Sequence, residues 1–303
     1  MTTEPRRRLP RRKVDGVLLL DKPAGLSSNA ALQQVKRLYS AEKAGHTGTL
    51  DPFASGLLPI CLGEATKFSR FLLDADKVYR AEIRLGVRTT TADPEGEVIE
   101  TRPVAVTPEQ VRAVLPRFLG EILQVPPMHS ALKRDGKPLY EYARQGIELE
   151  RPPRRVQVHA LVVEALAGEV LTLKVHCGKG LYVRTLAEDI GAALGCGAYL
   201  QALRRLQVGP FSLDQAVGLP ELEALDLAGR DAVLKPAAIL VADLPRLDLD
   251  LDAAWQVCHG QPIWRPGLAV GQCHAIHAPD GRFLGVAEVD PDGKLAPRRL
   301  VAG

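Results

Sequence analysis

From Lys77 to Gly86 the chain sets Val78, Arg80, Glu82 and Arg84 against Tyr79, Ala81, Ile83 and Leu85. Successive side chains of a strand point to opposite faces, so this alternation predicts a strand buried on one side only. Val170 to Cys177 alternates in the same way. Gly16 to Leu20 instead reads as a buried strand, ended by the turn Asp21-Lys22-Pro23-Ala24-Gly25. Helical signals stand between these strands. Ser27 or Ser28 can cap a helix whose apolar face uses Leu32, Val35 and Tyr39. Thr107-Pro108-Glu109-Gln110 has the form of a capping box, with Val111, Val114, Leu115 and Phe118 behind it. Gly178-Lys179-Gly180 turns into a helix through Leu186, Ile190 and Leu194, closed by Gly195. Residues from Gly45 to Pro59 read as a loop, and those from Pro126 to Arg155 as a long functional loop or a small helical insertion.

Near Leu244-Pro245 the texture turns to acid and proline as far as Asp252, which reads as a linker. Beyond it, Asp280-Gly281 and Asp292-Gly293 are hairpin signals between short strands. The expected architecture is therefore α+β, a large mixed domain followed by a small all-β one. Its expected divisions are a flexible basic tail over 1–13, the large domain over 14–245 and the small one over 246–303.

Net charge is only +3, yet the basic residues cluster. They gather in the first thirteen residues, then at Lys133, Arg134 and Lys137, at Arg151, Arg154 and Arg155, and at Arg204 and Arg205. Acidic residues concentrate elsewhere, from Glu221 to Asp252. Such segregation can build one face that tracks phosphates, or simply a set of solvated surfaces. Five cysteines with no C-x-x-C pair fit reduced thiols in a cytoplasmic protein. The run Val17 to Leu20 is too short for a signal-peptide core or a membrane span. No phosphate-binding loop, dinucleotide fingerprint or His-Glu-x-x-His motif is present. Cys258-His259 and Cys273-His274 with His277 match no zinc spacing, so no metal is expected.

The informative segment is Gly45-His46-Thr47-Gly48-Thr49-Leu50-Asp51-Pro52. Two glycines permit unusual backbone angles, and Pro52 stiffens the chain after a carboxylate. Such a loop could hold one aspartate in a fixed pose beside an imidazole. Taken alone, Asp-Pro reads more readily as a turn or a helix cap than as a catalytic carboxylate.

Its surroundings change that reading. The segment resembles the Gly-His-Thr-Gly-x-Leu-Asp-Pro motif of the TruB family of pseudouridine synthases. The likeness extends to Leu20-Asp21-Lys22-Pro23, Leu62-Gly63-Glu64-Ala65-Thr66-Lys67 and Lys77-Val78-Tyr79-Arg80. It continues through Thr89, Asp93 and Gly96, Ser130 to Lys133, Leu139 to Arg144, Gly180 to Leu186 and Leu203-Arg204-Arg205. Ala296 to Leu300 completes it. Nearly the whole chain after the basic tail is covered, with mild departures such as Thr49 before Leu50 and Leu181 before Tyr182.

The resemblance implies an enzyme that breaks a uridine's N-glycosidic bond, turns the uracil and rejoins it through carbon, without metal or redox cofactor. The implied substrate is the uridine at position 55 of the tRNA T-loop, flipped out of its stack. Asp51 would be the essential carboxylate, its point of attack on ring or ribose left open. Arg184 would pair with it, offsetting burial, and Tyr79 would stack on the base and take part in removing the proton from C5. His46 would pack among the loop bases. Lys22, Lys67 and Tyr182 would support the pocket or touch RNA, and Lys133 and Arg134 belong to an implied RNA-gripping insertion over about 126–155. The C-terminal domain would be of the PUA type. A monomer acting on the tRNA T-arm without a protein partner is expected, against two alternatives, a guide-dependent relative and a tRNA-folding chaperone.

Overall fold

In the computed structural model, which describes residues 11–301, the strand Gly16–Lys22 is buried along both faces. Leu18 and Leu20 point into one apolar cluster, Val17 and Leu19 into another. A strand covered on both sides needs a continuous apolar run, which is why this segment lacks alternation. Around it a ten-stranded mixed sheet forms. Its main path runs Val217–Gly218, Gly16–Lys22, Ser55–Leu62, Ala198–Val208, Lys77–Leu85, Val170–Cys177, Arg154–Ala167, Gly120–Gln124. The Lys77–Leu85 strand alternates as expected from Tyr79 onward, with Ala81, Ile83 and Leu85 fully buried.

Ser55–Leu62 and Ala198–Val208 pair in parallel over only two positions, Arg204 with Ser55 and Arg205 with Gly56. Gly56 has φ +105°, and a Cβ there would stand 2.3 Å from the Arg205 carbonyl oxygen. Only glycine allows that approach. Helices Ser28–Leu38 and Val183–Ala193 cover one face of the sheet through Ala31, Val35, Leu186 and Ile190. On the opposite face Phe68, Leu240 and Val241 pack with Ala275 and Val286 of the C-terminal unit. The Phe68 and Phe283 rings lie 5.2 Å apart.

The C-terminal unit is a five-stranded sheet in the order Arg246–Asp248, Cys273–His277, Phe283–Val289, Lys294–Leu300, Ile263–Trp264. Both Asp-Gly pairs sit in hairpin turns between its strands, as expected. The stretch read as a linker is structured. Arg246–Asp248 pairs in parallel with Cys273–His277, and Asp250 caps helix Leu251–Cys258 by accepting a hydrogen bond from the Ala253 amide. Its acids Asp248, Asp250 and Asp252 lie on a strand, at a helix cap and in a first helical turn, not on a solvated tether.

Three further expectations need correction. Within Gly45–Pro59 only the middle is loop, because Ala44–His46 and Ser55–Leu62 form an antiparallel pair. The first ten residues of the basic tail lie outside the described residues. Arg12, assigned to that tail, is tied down: its guanidinium donates to Asp231 and to the Tyr39 carbonyl, the latter at 2.9 Å. The 126–155 segment is neither pure loop nor simply helical. It carries the hairpin Lys133–Arg134/Lys137–Pro138 and the short helix Leu139–Ala143. Among the described residues no helix is long and apolar enough to cross a membrane.

Candidate active site

Between the pair Ala44–His46 and Ser55–Leu62, the chain loops out and is pinned at several points. The buried Ser28 hydroxyl accepts from the Leu50 amide at 2.8 Å and lies 2.9 Å from the Leu50 carbonyl as its donor. Of the two candidate caps, Ser27 caps the helix, so Ser28 is free for this task. The Gly25 amide donates to the Pro52 carbonyl at 2.8 Å, and Arg205 Nη1 to the Thr49 carbonyl at 3.4 Å. Gly48 takes φ +102°. The loop therefore presents Asp51 in one pose, with its side chain 32% exposed.

Arg184 meets that carboxylate side-on, Nε to Oδ2 at 3.0 Å and Nη2 to Oδ1 at 3.3 Å. It is a buried cation in the first turn of helix Val183–Ala193, where the helix dipole disfavours positive charge. Two carboxylates compensate. Arg184 Nη1 also donates to Asp93 Oδ2 at 3.0 Å, and Nη2 to the His129 carbonyl at 2.7 Å. Asp93 is buried and had no role in the sequence reading beyond its place in a motif. Sequence spacing could not reveal it, because the contact closes over 91 residues.

A cavity of about 340 Å³ opens above Asp51, within the usual range for small-ligand sites. Gly48 to Asp51 form one wall, and Tyr79 and Arg205 line it from neighbouring strands. Tyr182 and Arg184, with Ser130 to Leu132 from the root of the 126–155 segment, complete it. Asp51, Tyr79, Arg184 and Tyr182 are thus brought together, as expected.

The remaining sites fall elsewhere. Lys22 is fully buried and spends its ammonium on the Pro23, Leu26 and Pro52 carbonyls, so it braces the loop behind Asp51. Burial lowers its pKa to about 8. Lys67 donates to Glu64 at 2.6 Å and to the Leu300 carbonyl at 2.9 Å, joining the C-terminal strand to the turn Gly63–Phe68, away from the cavity. His46 is half-buried on its short strand and does not line the cavity; burial lowers its pKa. Lys133 and Arg134 are exposed on the insertion hairpin. Arg205 was counted in a surface basic cluster but is only 1% exposed. Its strand neighbour Arg204 does reach the surface, paired with Asp21 at 2.7 Å.

Burial is the first influence on the Asp51 carboxyl and raises its pKa; Arg184 opposes, Asp93 adds to the rise, and Lys22 opposes. The net direction is upward. Arg184 was expected to offset burial, but it divides its charge between two carboxylates and does not cancel it. Burial likewise raises the Tyr79 phenol, with Arg205 opposing. Asp76, His159 and His176 gather possible metal-ligand atoms within 4.8 Å, and His159 Nε2 lies 3.2 Å from Asp76 Oδ2. This group is outside the cavity lining.

Chemically, the site offers one partly exposed carboxylate backed by a guanidinium fork, an aromatic ring with a hydroxyl, and a cavity of small-ligand size. Comparisons with known proteins cover the chain from residue 36 to residue 301. Residues 36–183 match the TruB family pseudouridylate synthase N-terminal domain. Residues 184–242 match the tRNA pseudouridylate synthase B C-terminal domain, and 245–301 the pseudouridine synthase II TruB C-terminal model. The tRNA pseudouridine synthase B of Burkholderia mallei is 57% identical over 306 residues, covering 99% of this chain and 98% of that one. Its counterpart in Methylobacillus flagellatus is 54% identical, covering 96% of each. Among solved structures, a Cbf5-Nop10-Gar1 complex contains a chain with a TM-score of 0.73 and 27% identity, over 94% of this chain and 84% of that one. The chain is therefore a member of the TruB family of pseudouridine synthases.

Proposed function

We propose that this protein isomerises uridine to pseudouridine in tRNA, at position 55 of the T-loop. The observation that carries the reading is Asp51, held by Arg184 at the edge of a base-sized cavity with Tyr79 on its wall. In this reading Asp51, ionised, meets the electron deficiency that develops as the glycosidic bond breaks. Tyr79 stacks on the flipped uracil and serves the proton at C5, while Tyr182 closes the pocket. His46, at the start of the loop that carries Asp51, packs against bases of the opened loop. Lys133 and Arg134 grip phosphates from the insertion, and residues 246–303 act as a PUA-like module extending the RNA contact.

The direct test is tritium release from a T-arm hairpin carrying [5-³H]uridine, with purified protein alone. Release at the T-loop uridine is expected; release only after adding a guide RNA or a partner protein would overturn the stand-alone reading.

Three further outcomes follow. Asp51 must be ionised and its pKa is raised, so kcat/KM should fall with decreasing pH above the ordinary carboxylate range. Asp93→Asn removes a charge that raises that pKa and leaves Arg184 to Asp51 alone. The acid limb of kcat/KM should then move to lower pH, and an unmoved limb in the measured profile would contradict this coupling. Reversing Lys133 and Arg134 to Glu should weaken hairpin affinity and flatten its dependence on salt, since fewer counterions are released. Binding titrations at several salt concentrations check this; an unchanged slope removes the hairpin from the interface.

A further inference from the structure

Arg205 stands where a hydrophobic residue is expected. On strand Ala198–Val208, Leu203 pairs with Ala81 and Arg205 with Tyr79 of the neighbouring strand. Directly opposed residues share a face, and here that face carries Ala81, Ile83 and Leu203 into the core. A guanidinium in this column, 1% exposed, has lost its water. Nε donates to the Leu57 carbonyl at 2.7 Å and Nη1 to the Thr49 carbonyl at 3.4 Å. Nη2 is buried and makes no hydrogen bond of full geometry among the described residues, yet the guanidinium lies close enough to the Tyr79 hydroxyl to lower its pKa. An unsatisfied charged donor costs more than a neutral one, so its retention calls for an explanation. The residue lines the same cavity as Asp51 and Tyr79.

The reaction proposed above, on which this inference rests, has a proton problem. Isomerisation leaves the atom count unchanged, yet N1 must gain a proton and C5 must lose one. Turning uracil about its N3–C6 axis exchanges the places of N1 and C5. One fixed hydroxyl can therefore serve both atoms in turn.

We propose that Arg205 is a positioning residue acting through Tyr79, its free Nη2 held for the tyrosine oxygen while that oxygen lends and recovers one proton. When the N1–C1′ bond breaks, its electron pair stays on N1, and N1 takes the Tyr79 proton. The phenolate left behind faces a cation already in place, with no solvent to reorganise. After rotation, the C5=C6 pair forms the C5–C1′ bond. The phenolate then takes the C5 proton, and the C5–H pair restores C5=C6. Tyr79 ends as a neutral phenol, and no outside acid or base is consumed. Burial, which raises the Tyr79 phenol, makes a cation beside it necessary for this role.

The test uses the full chain and a T-arm hairpin with [5-¹H] or [5-²H]uridine, in single turnover, for wild type, Arg205→Lys and Arg205→Gln. Melting temperature and hairpin affinity are followed in parallel. Arg205→Gln should slow turnover by about 10²-fold, the usual scale for assisted proton transfer. It should also enlarge the deuterium effect at C5, because proton removal becomes limiting. Arg205→Lys keeps the charge and should recover part of both. Wild-type turnover in Arg205→Gln overturns the inference, as does a loss in either variant with no change in isotope effect, which marks a purely structural brace of the Asp51 loop. Should Arg205→Gln fail to fold, Arg205→Lys alone must still show the enlarged isotope effect. A wild-type protein that forms no pseudouridine overturns the functional reading itself and this inference with it.

Discussion

Asp51→Asn is expected to abolish pseudouridine formation, lowering turnover by about 10⁴-fold or more, while hairpin affinity changes little. The substitution keeps the size of the side chain and the loop that holds it. Leu50 stays on Ser28, and Pro52 on Gly25 and Lys22, because those contacts use backbone atoms at residue 51's neighbours. What disappears is the negative charge and half of the fork to Arg184. Tritium release and a binding titration on the same preparation separate the two quantities. Wild-type turnover in the variant would remove Asp51 from the chemistry. Lost binding with unchanged chemistry on bound RNA would make it a recognition residue.

The second large effect belongs to Arg184. Arg184→Met removes the fork to Asp51 and also strands Asp93, a buried carboxylate that keeps only Thr91 and the Glu95 amide. Removing one partner of a buried ion pair costs about 3–5 kcal/mol, because the other charge remains without compensation. Denaturant unfolding should show a loss of that size, and turnover should drop by about 10²–10³-fold through misplacement of Asp51. Adding Asp93→Asn to Arg184→Met should restore part of the stability but none of the turnover. If the double variant is no more stable than the single one, Asp93 is not the stranded charge.

The alternation at Lys77–Leu85 and Val170–Cys177 marked the wet-faced strands because period two is a local property of each strand. Gly16–Lys22 was legible for the complementary reason, its apolar run being demanded by cover on both faces. The capping box at Thr107 was readable because its two hydrogen bonds join neighbours in sequence. The acid-rich stretch from Leu244 to Asp252 misled because a helix cap such as Asp250 and a tether share one composition. Lys22 and Lys67 left two readings open in the sequence, support of the site or contact with RNA. Packing spends the ammonium of Lys22 on backbone carbonyls and that of Lys67 on a carboxylate and the C-terminal strand.

By itself the sequence determined three strands of the large sheet, the capped helices and the family likeness that makes Asp51, Tyr79 and Arg184 candidates. Each is carried by a short run of residues and so survives without coordinates. Tertiary structure alone decided how charge is distributed around Asp51. The second claim on Arg184 by Asp93, the Ser28 pin and the burial of Arg205 beside Tyr79 are contacts between segments far apart in the chain. Electrostatic strength depends on distance and desolvation, and neither is a property of composition or spacing.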